Sequence, residues 1–550
     1  MLTCCILCTS FGYPAARVSA DEPLRLAHRW EVEPDLGAVW FTLPPLTLHP
    51  ERFASTQLQI VLDESRQALS HTDRRDVIAS GPAVAAILQR LKAAPENRQV
   101  VLALAGAAIA LSDESTAQLL WEQLRDNPTT RPLIERALVK WKSPVALDSW
   151  RTRLSDPSTS QSNLLLAIQG VGATGSAQDR LALEALLRSD RLQPPLKIAV
   201  ARALGSVMAA DLESIASDVL ATEIEHRELL AGEMLAGHTS PEASALLQTI
   251  INSSHGPART VAYASISRNF SEQARQLAAE MLQQNDNNLR AQAVAVLDQY
   301  DDADSLRLQA ICIADRNYQL RVQVRENLLR KAQIKELRPL VDEIIDDQLS
   351  SDVYQGIEQA ILLSVALREA ERCPTYLQLL EYPRHETSLI AAWALQELAQ
   401  TPELMEGILA HSRPITERLV NKNRTAFPEQ LRQAFLFEAM GRNRYQPTVD
   451  MLKLYIDKDH SMGDVCRASA IWALGKLLEN SQDEAVAQAL ARRVLDSDPD
   501  NPESILVQFT SAIALGWIKA PGSLEKLRGV AYSDANTHLA IEWAKQRLSK

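Results

Sequence analysis

The sequence predicts an all-α fold, an αα solenoid (superhelix) of about a dozen or more helix-turn-helix repeats with a short N-terminal extension. Three observations predict it. A nine-residue phrase, clearest as Arg467-Ala-Ser-Ala-Ile-Trp-Ala-Leu-Gly475, returns in weaker copies along the chain. The copies are separated by a nearly constant step, and each is followed by a short turn and a second helical run. Such self-similarity at one period is typical of stacked repeats.

The repeat phrase predicts an amphipathic helix. Small or apolar residues stand three, four, six and seven positions after its leading residue, which is one helix face with alanine where a neighbour comes close. A glycine at the eighth position, Gly475 in the clearest copy, predicts the end of that helix. Trp393, Trp472 and Trp543 all stand at the fifth position of their copies. Further copies begin at Lys197, Arg227, Arg259, Arg290, Arg321, Ser388, Arg432, Gln508 and His538.

The spacing of the copies supports a regular array. From Lys197 to Arg321 the successive steps are 30, 32, 31 and 31 residues. Between copies, a polar turn leads into a second helical pattern, as at Glu242–Ile251 and Glu484–Leu490. Helix, short turn, helix and short turn is the order of an αα solenoid.

The order of a basic residue, two spaced alanines, Leu-Gly, a turn and an apolar helix resembles HEAT repeats. The short step is most similar to the bacterial, phycobilisome-lyase-like variety, and the resemblance covers roughly residues 80–550. It implies a solenoid fold. It is unspecific for function, because that family includes scaffolds, chromophore lyases, a DNA glycosylase group and an iron hydroxylase.

The chain before the repeats has a different composition. Residues 1–20 have the shape of a secretory signal peptide, with a short apolar run and the small residues Val18-Ser-Ala20 before a cleavage point, although the start lacks a basic residue. This predicts a periplasmic or secreted protein, with a cytoplasmic one as the alternative. Residues 21–80 are predicted to cap the open end of the solenoid or to dock a partner, because they carry Trp30, Trp40 and Phe41.

Composition and motifs exclude several functions. A net charge of −12 argues against a dedicated nucleic-acid binder. The apolar run Gln99–Leu111 has 13 residues, fewer than the roughly 20 of a membrane span, so we expect none. The histidines are scattered, with His385-Glu386 the one His-Glu pair, and hydrolase, zinc-protease and Walker motifs are lacking. The sequence therefore predicts a protein that is not an enzyme and needs neither a cofactor nor a metal.

One stretch interrupts the rhythm and carries positive charge. The step from Ser388 to Arg432 is 44 residues, and an insertion in a solenoid is predicted to form a loop on one face, often the binding face. Residues 411–445 hold seven basic and three acidic side chains. A charge run of this kind is also typical of a solvated surface. The candidate partner-binding residues are Arg413, Arg418, Lys422, Arg424, Arg432, Arg442, Arg444 and Tyr445.

These observations favour a non-enzymatic scaffold that binds a protein or peptide partner on its curved surface through many modest contacts. A lyase-like enzyme or enzyme accessory subunit is the first alternative. A binder of an anionic polymer, using the basic insertion at 411–445, is the second.

Overall fold

A computed structural model describes residues 81–93, 98–110, 112–253, 256–423, 429–528 and 535–549. Within these ranges the regular structure is entirely helical, so the predicted all-α repeat fold is confirmed. The predicted signal peptide at 1–20 and the predicted extension at 21–80 lie outside the described residues. The α-helices are α1 Gly81–Ala93, α2 Arg98–Ala110, α3 Ala117–Leu124, α4 Arg131–Trp141, α5 Leu147–Ser155, α6 Gln161–Thr174, α7 Arg180–Leu187, α8 Pro194–Val207, α9 Glu213–Leu220, α10 Arg227–Met234, α11 Pro241–Ser253, α12 Pro257–Asn269, α13 Ser271–Leu282, α14 Asn287–Leu297, α15 Ala303–Ala310, α16 Tyr318–Lys331, α17 Arg338–Leu349, α18 Tyr354–Ala366, α19 Cys373–Leu379, α20 His385–Leu398, α21 Pro402–Val420, α22 Glu429–Arg442, α23 Val449–Lys453, α24 Asp464–Leu477, α25 Glu484–Val494, α26 Ile505–Ile518, α27 Ser523–Leu527 and α28 Ala535–Leu548.

The described helices belong to two compact units. The first unit ends at Tyr300 and contains α1 to α14, and the second begins at Asp301 and contains α15 to α28. Each unit is built in the same way. The described helices do not include one with both the length and the apolar character needed to cross a membrane.

Each unit consists of two rows of helices. The even-numbered helices form one row, in which α6 packs on α8 in the first unit and α22 packs on α24 in the second. The odd-numbered helices form the other row, and each packs against the even-numbered helix that follows it in the chain. The clear copies of the repeat phrase and the weaker ones lie on even-numbered helices, from α8 to α28. The repeat phrase therefore marks one row of the stack.

The glycine of the repeat phrase has a different role from the predicted one. Helix α24 continues past Gly475 to Leu477, so the predicted helix end at Gly475 is wrong. A Cβ added at Gly475 would lie 2.8 Å from the Cα and Cβ of Ala514 in α26. Gly441 of α22 meets Ala473 of α24 in the same way, at 2.7 Å. Glycine here allows the even-row helices to approach each other more closely than a side chain would permit.

Ion pairs, one of them fully buried, join successive repeats. Arg202 of α8 binds Glu233 of α10, with 2.9 Å from Nε to Oε2. In the second unit, Arg467 of α24 donates two hydrogen bonds to Glu503, at 2.8 and 2.9 Å, and both side chains are fully buried. A charge removed from water in this manner is stable only when its partner and hydrogen bonds are in place. These two pairs therefore couple the repeats that they join.

Candidate partner-binding surfaces

The basic stretch at 411–445 is helical over most of its length. Helix α21 extends to Val420 and contains Pro414, and α22 begins at Glu429. The prediction of a loop is therefore wrong for residues 411–420. The extra residues between Ser388 and Arg432 instead lengthen a helix of the odd row. Helix α21 runs without a break from Pro402 to Val420.

Four of the predicted partner-binding residues bind groups of their own chain. Arg418 binds Glu429 at 2.6 Å. Arg432 is buried and donates to the carbonyl oxygen of Leu380 at 2.6 Å. Arg442 lies 3.8 Å from Glu397, and Arg444 binds Glu479 at 2.6 Å.

The remaining predicted residues are differently placed. Arg413 and Lys422 are exposed, and Tyr445 is half-buried. Arg424 lies outside the described residues. Of the predicted partner-binding residues that the structure describes, four therefore bind groups of their own chain, two are exposed and one is half-buried. Whether any of these residues contacts a partner stays a prediction.

A second candidate surface lies on the even row of the second unit. In α20, α22, α24 and α26, ten consecutive residues of each helix are buried, for example Arg432 to Gly441 in α22. A helix turns about 100° per residue, so ten residues cover every side of it. These helices are therefore covered all round, including the side that points away from the odd row.

Helix α22 shows which residues lie on that side. Gln433 and Phe437 face the odd row, because Gln433 Nε2 donates to the carbonyl oxygen of Ser412 and the Phe437 ring lies 4.9 Å from that of Tyr455. Phe435 and Glu438 lie roughly 140–200° around the helix from Gln433, on the opposite side. The main helix neighbours of α22 are α20 and α24 at its flanks and α21 in the odd row. Phe435 and Glu438 are fully buried, and both flanking helices contact the Glu438 carboxylate.

We call the aromatic and charged surface formed along the even-row helices α20 to α28 the even-row face. It is defined by the residues Trp393, Phe435, Glu438, Trp472, Lys476, Trp517, Trp543 and Arg547.

Glu438 forms the polar centre of the even-row face. Its Oε1 accepts a hydrogen bond of 2.7 Å from Ser469 Oγ of α24, and its Oε2 accepts one from Gln396 Nε2 of α20. The carboxylate is fully buried. A buried carboxylate is costly unless it is hydrogen-bonded, and these two hydrogen bonds tie Glu438 to the helices on both sides of α22.

Aromatic rings and cations continue the even-row face toward α28. Trp517 meets Trp472 and Trp543 edge to face, with ring centroids 6.3 and 6.0 Å apart. Lys476 Nζ lies 4.3 Å from the Trp517 ring centroid, and the Arg547 guanidinium lies 5.1 Å from that of Trp543. Such rings offer a large apolar area together with favourable sites for cations.

The fifth position of the repeat phrase is exposed in α8 of the first unit and buried in α24 of the second. Arg202 stands at the fifth position in α8, and its side chain is 65% exposed. Trp472 stands at the fifth position in α24 and is only 1% exposed. The sequence places the tryptophans at one position of the repeat phrase, but it did not lead to a prediction of a site there. The first unit has the exposed residues Arg202 and Ala295 at the same position, and this difference in residue type could have indicated the site.

The described residues do not include a group of three or more His, Cys, Asp or Glu side chains placed to hold a metal ion. The site is therefore described by its aromatic, carboxylate and cationic side chains.

The fold and this surface define an α-solenoid of helix-turn-helix repeats with one covered face. No family model matches the chain, and no curated protein matches its sequence. The assignment to the short-period variety of HEAT repeats stays a prediction.

Several solved helical-repeat structures are similar to the chain. Kap95p, in a complex with RanGDP, is 12% identical over 85% of this chain and 72% of that one, with a TM-score of 0.46. Yeast importin-beta is 13% identical over 92% of this chain and 71% of that one, with a TM-score of 0.39. Kap121p bound to Pho4p is 12% identical over 90% of this chain and 57% of that one, with a TM-score of 0.46. At these values the likeness says nothing about what this chain binds.

Proposed function

We propose that the protein is a non-enzymatic scaffold that binds a polypeptide segment on the even-row face of its second unit. The observation that carries the proposal is the column of tryptophan rings with adjoining cations that runs along the even-row helices of the second unit. Such a column combines a large apolar area with charge, as binding surfaces do. In the first unit, Arg202 at the matching position remains in solvent.

The chemistry of the face specifies the kind of segment that fits. The tryptophan rings at 472, 517 and 543 take up a large apolar or aromatic side chain, and such anchors supply most of the free energy of binding at interfaces. Lys476 lies against the Trp517 ring, and Arg547 lies against Trp543 and 3.8 Å from Glu479, so the edge of the face carries positive charge. Positive charge there favours a ligand with an acidic residue. The expected ligand therefore carries an aromatic residue with an acidic residue beside it.

The ionisable groups of the second unit favour a scaffold over the lyase-like alternative. Burial raises the pKa of Glu369 to about 7, which is the kind of shift that marks many catalytic carboxyls. Arg338 and Arg372 both bind this carboxyl group. A carboxylate held by two arginines between repeats is typical of a structural ion pair.

Binding of an anionic polymer is the alternative for the basic stretch. Its exposed cations in the described part of the chain include Arg413 and Lys422. Such binding weakens steeply with salt, since each neutralised phosphate releases a counterion. A titration against single-stranded DNA at two salt concentrations tests it, and Arg413→Glu with Lys422→Glu is the variant that should abolish it.

A selection of random peptides displayed on phage tests the proposed function. We expect the wild-type protein to enrich peptides with an acidic residue beside an aromatic one, and Lys476→Gln to weaken that enrichment. Lys526→Gln, which changes an exposed lysine, is the matched control and should enrich the same peptides. Circular dichroism confirms that each variant is folded. Enrichment that survives Lys476→Gln but disappears in the Arg413→Glu, Lys422→Glu variant would move the binding site to the basic stretch.

A further inference from the structure

His411 is a largely buried histidine on α21, the helix that packs on α22 and α19. Its Nδ1 lies 2.8 Å from Oε1 of Glu381. Its Nε2 is buried and has no hydrogen-bond partner among the described residues. The neutral ring donates from Nδ1 to the carboxylate, so a second proton would bind Nε2, where the described residues offer it no acceptor. These surroundings therefore disfavour the charged form of His411.

A buried guanidinium lies beside this histidine and acts on its charge. Arg432 of α22 donates from Nη1 to the carbonyl oxygen of Leu380, at 2.6 Å, and to Oγ of Ser388 in α20, at 3.2 Å. Its Nη2 donates to Oε1 of Glu429 at 3.4 Å. The same carboxylate binds Arg418 of α21 at 2.6 Å. Arg432 therefore places a positive charge where residues of α20, α21 and α22 meet.

His385, the first residue of α20, is the second histidine of this cluster. It is half-buried, and its carbonyl oxygen accepts from Oγ of Ser388, the hydroxyl group that Arg432 also contacts. Burial lowers the pKa of His385 and of His411, and the charge of Arg432 lowers both further. Both rings therefore remain neutral to a lower pH than an exposed histidine does.

Nearby carboxylates oppose this lowering of the pKa without outweighing it. Those that act on the two histidines are Glu381, Glu386 and Glu429. Glu381 is 79% exposed, so water screens its attraction. Glu386 lies 3.6 Å from Arg384, and Glu429 is bound by the two arginines of α21 and α22. Each carboxylate is therefore either screened by solvent or shared with an arginine.

We propose that these two histidines form a pH-sensitive joint, in which their protonation loosens the packing of α21 on α22 and weakens ligand binding at the even-row face. Ser412, next to His411, accepts through its carbonyl oxygen from Gln433 of α22, and Thr416 Oγ1 accepts from the same amide. Loosening α21 breaks these hydrogen bonds and frees α22, which carries Phe435 of the even-row face. The loosening is independent of the proposed function, and only its effect on binding rests on that function.

The direction of the effect follows from the state that binds protons more tightly. A histidine released from the cluster takes up a proton at about pH 6.5, whereas the packed cluster keeps both rings neutral to a lower pH. The packed arrangement is therefore most stable above about pH 6.5 and loses stability as the pH falls below that value. At about pH 5.5, each histidine shifts the opening equilibrium by at most about tenfold.

Amide hydrogen exchange of the full chain, followed by mass spectrometry, tests the joint. Exchange is compared at about pH 7.5 and about pH 5.5, after correction for the pH dependence of the chemical exchange rate. We expect the corrected exchange of α21 to rise about tenfold at the lower pH, while that of α8 in the first unit stays unchanged. Unchanged exchange of α21 would overturn the inference. An equal rise in α8 would also overturn it, because the opening would then not be confined to the joint.

A variant that cannot take up these protons isolates the contribution of the histidines. Asparagine keeps a side-chain N–H donor near the position of Nδ1, so His385→Asn combined with His411→Asn should abolish the rise in exchange. His226→Asn, which changes an exposed histidine of the first unit, is the matched control and should behave as the wild type does. A rise that persists in the double variant would assign the pH dependence to other groups and overturn the inference.

A measurement on the wild-type chain does not depend on how the variants fold. Exchange of the hydrogen on the Cε1 atom of an imidazole ring reports the titration of that ring. We expect His385 and His411 to titrate at a lower pH in the folded chain than in the corresponding tryptic peptides. Titration at the same pH in both would contradict the joint.

Binding measurements separate the joint from the proposed function. A peptide enriched by the phage selection should bind the wild type less tightly at about pH 5.5 than at about pH 7.5, and should bind the double variant equally at both. Enriched peptides together with pH-independent exchange of α21 would leave the scaffold function intact and reject the joint. A selection without enrichment, together with a rise in exchange that the double variant abolishes, would keep the joint and reject the proposed function.

Discussion

The strongest stability prediction concerns the buried ion pair between Arg467 and Glu503. Both side chains are fully excluded from solvent, and two hydrogen bonds of 2.8 and 2.9 Å join them. Glu503→Gln leaves the guanidinium of Arg467 buried with one good acceptor in place of a carboxylate. Breaking one side of such a pair costs about 3 kcal/mol, the lower end of the usual range, because the carbonyl oxygens of Tyr455 and Ile456 still accept from Arg467.

Urea unfolding followed by tryptophan fluorescence measures this change. A loss of about 3 kcal/mol corresponds to roughly a 150-fold shift in the unfolding equilibrium. The double variant Arg467→Met, Glu503→Leu removes both charges and should recover most of the lost stability. Glu525→Gln, which breaks an exposed pair with Arg528, should change stability by less than about 1 kcal/mol. Equal midpoints for Glu503→Gln and Glu525→Gln would refute the reasoning.

The same pair predicts a dependence on pH. Burial alone raises the pKa of Glu503, but the hydrogen bonds from Arg467 outweigh it and hold the pKa below its usual range. A carboxyl group with a lowered pKa stabilises the folded state above its unfolded pKa, and this stabilisation is lost as the pH falls. The stability difference between wild type and Glu503→Gln should therefore shrink as the pH falls below about 4.

Three further predictions concern other parts of the chain. Gly475→Ala should lower the free energy of unfolding by about 1 kcal/mol, because overpacking against Ala514 exceeds the gain in helix propensity. At Gly106 the added Cβ meets no atom within 4 Å, so Gly106→Ala should raise the free energy of unfolding by about 1 kcal/mol in the same urea assay. Burial raises the pKa of Glu213, but its hydrogen bonds from the next repeat outweigh this and lower it to about 2. Wild type should therefore lose about 3 kcal/mol between roughly pH 4.5 and 2 that Glu213→Gln does not lose; parallel acid-unfolding curves would contradict this. Ala470→Asp places an unpaired charge at a fully buried position of α24 and should lower the free energy of unfolding by more than about 3 kcal/mol, so a wild-type melting curve would contradict the packing.

The repeat fold could be predicted because it depends on a local pattern. Spacing of alanine and leucine at helical intervals fixes which side of each even-row helix is buried, and the period fixes how the helices stack. The helical spacing is present in nine residues such as Arg467 to Gly475, and the period is present in the steps between copies. The role of Gly475 was not predictable in the same way, because a glycine that ends a helix and one that permits close packing with Ala514 look alike in a single sequence.

The binding surface could not be predicted from charge. Arg432 and Arg442 contribute to the basic stretch in the sequence, but they lie against Leu380 and Glu397, which are far from them in the chain. A cluster of charged residues in the sequence shows only which residues are present. Binding depends on which of those charges remain exposed to solvent after the repeats stack. The tryptophan at the fifth position carried more information, since Trp472 replaces a residue that is exposed in α8.

Hydroxyl-radical footprinting of the tryptophans is the most direct test of the central claim that the even-row face of the second unit is covered in the free protein. The rate of oxidation of Trp472 in the intact chain is compared with that of Trp150, which is fully buried, and of Trp141, which is half-buried. The account predicts that Trp472 reacts as slowly as Trp150 and more slowly than Trp141. Oxidation of Trp472 in the wild-type chain at the rate of Trp141 would contradict the account, because the face would then be open to solvent.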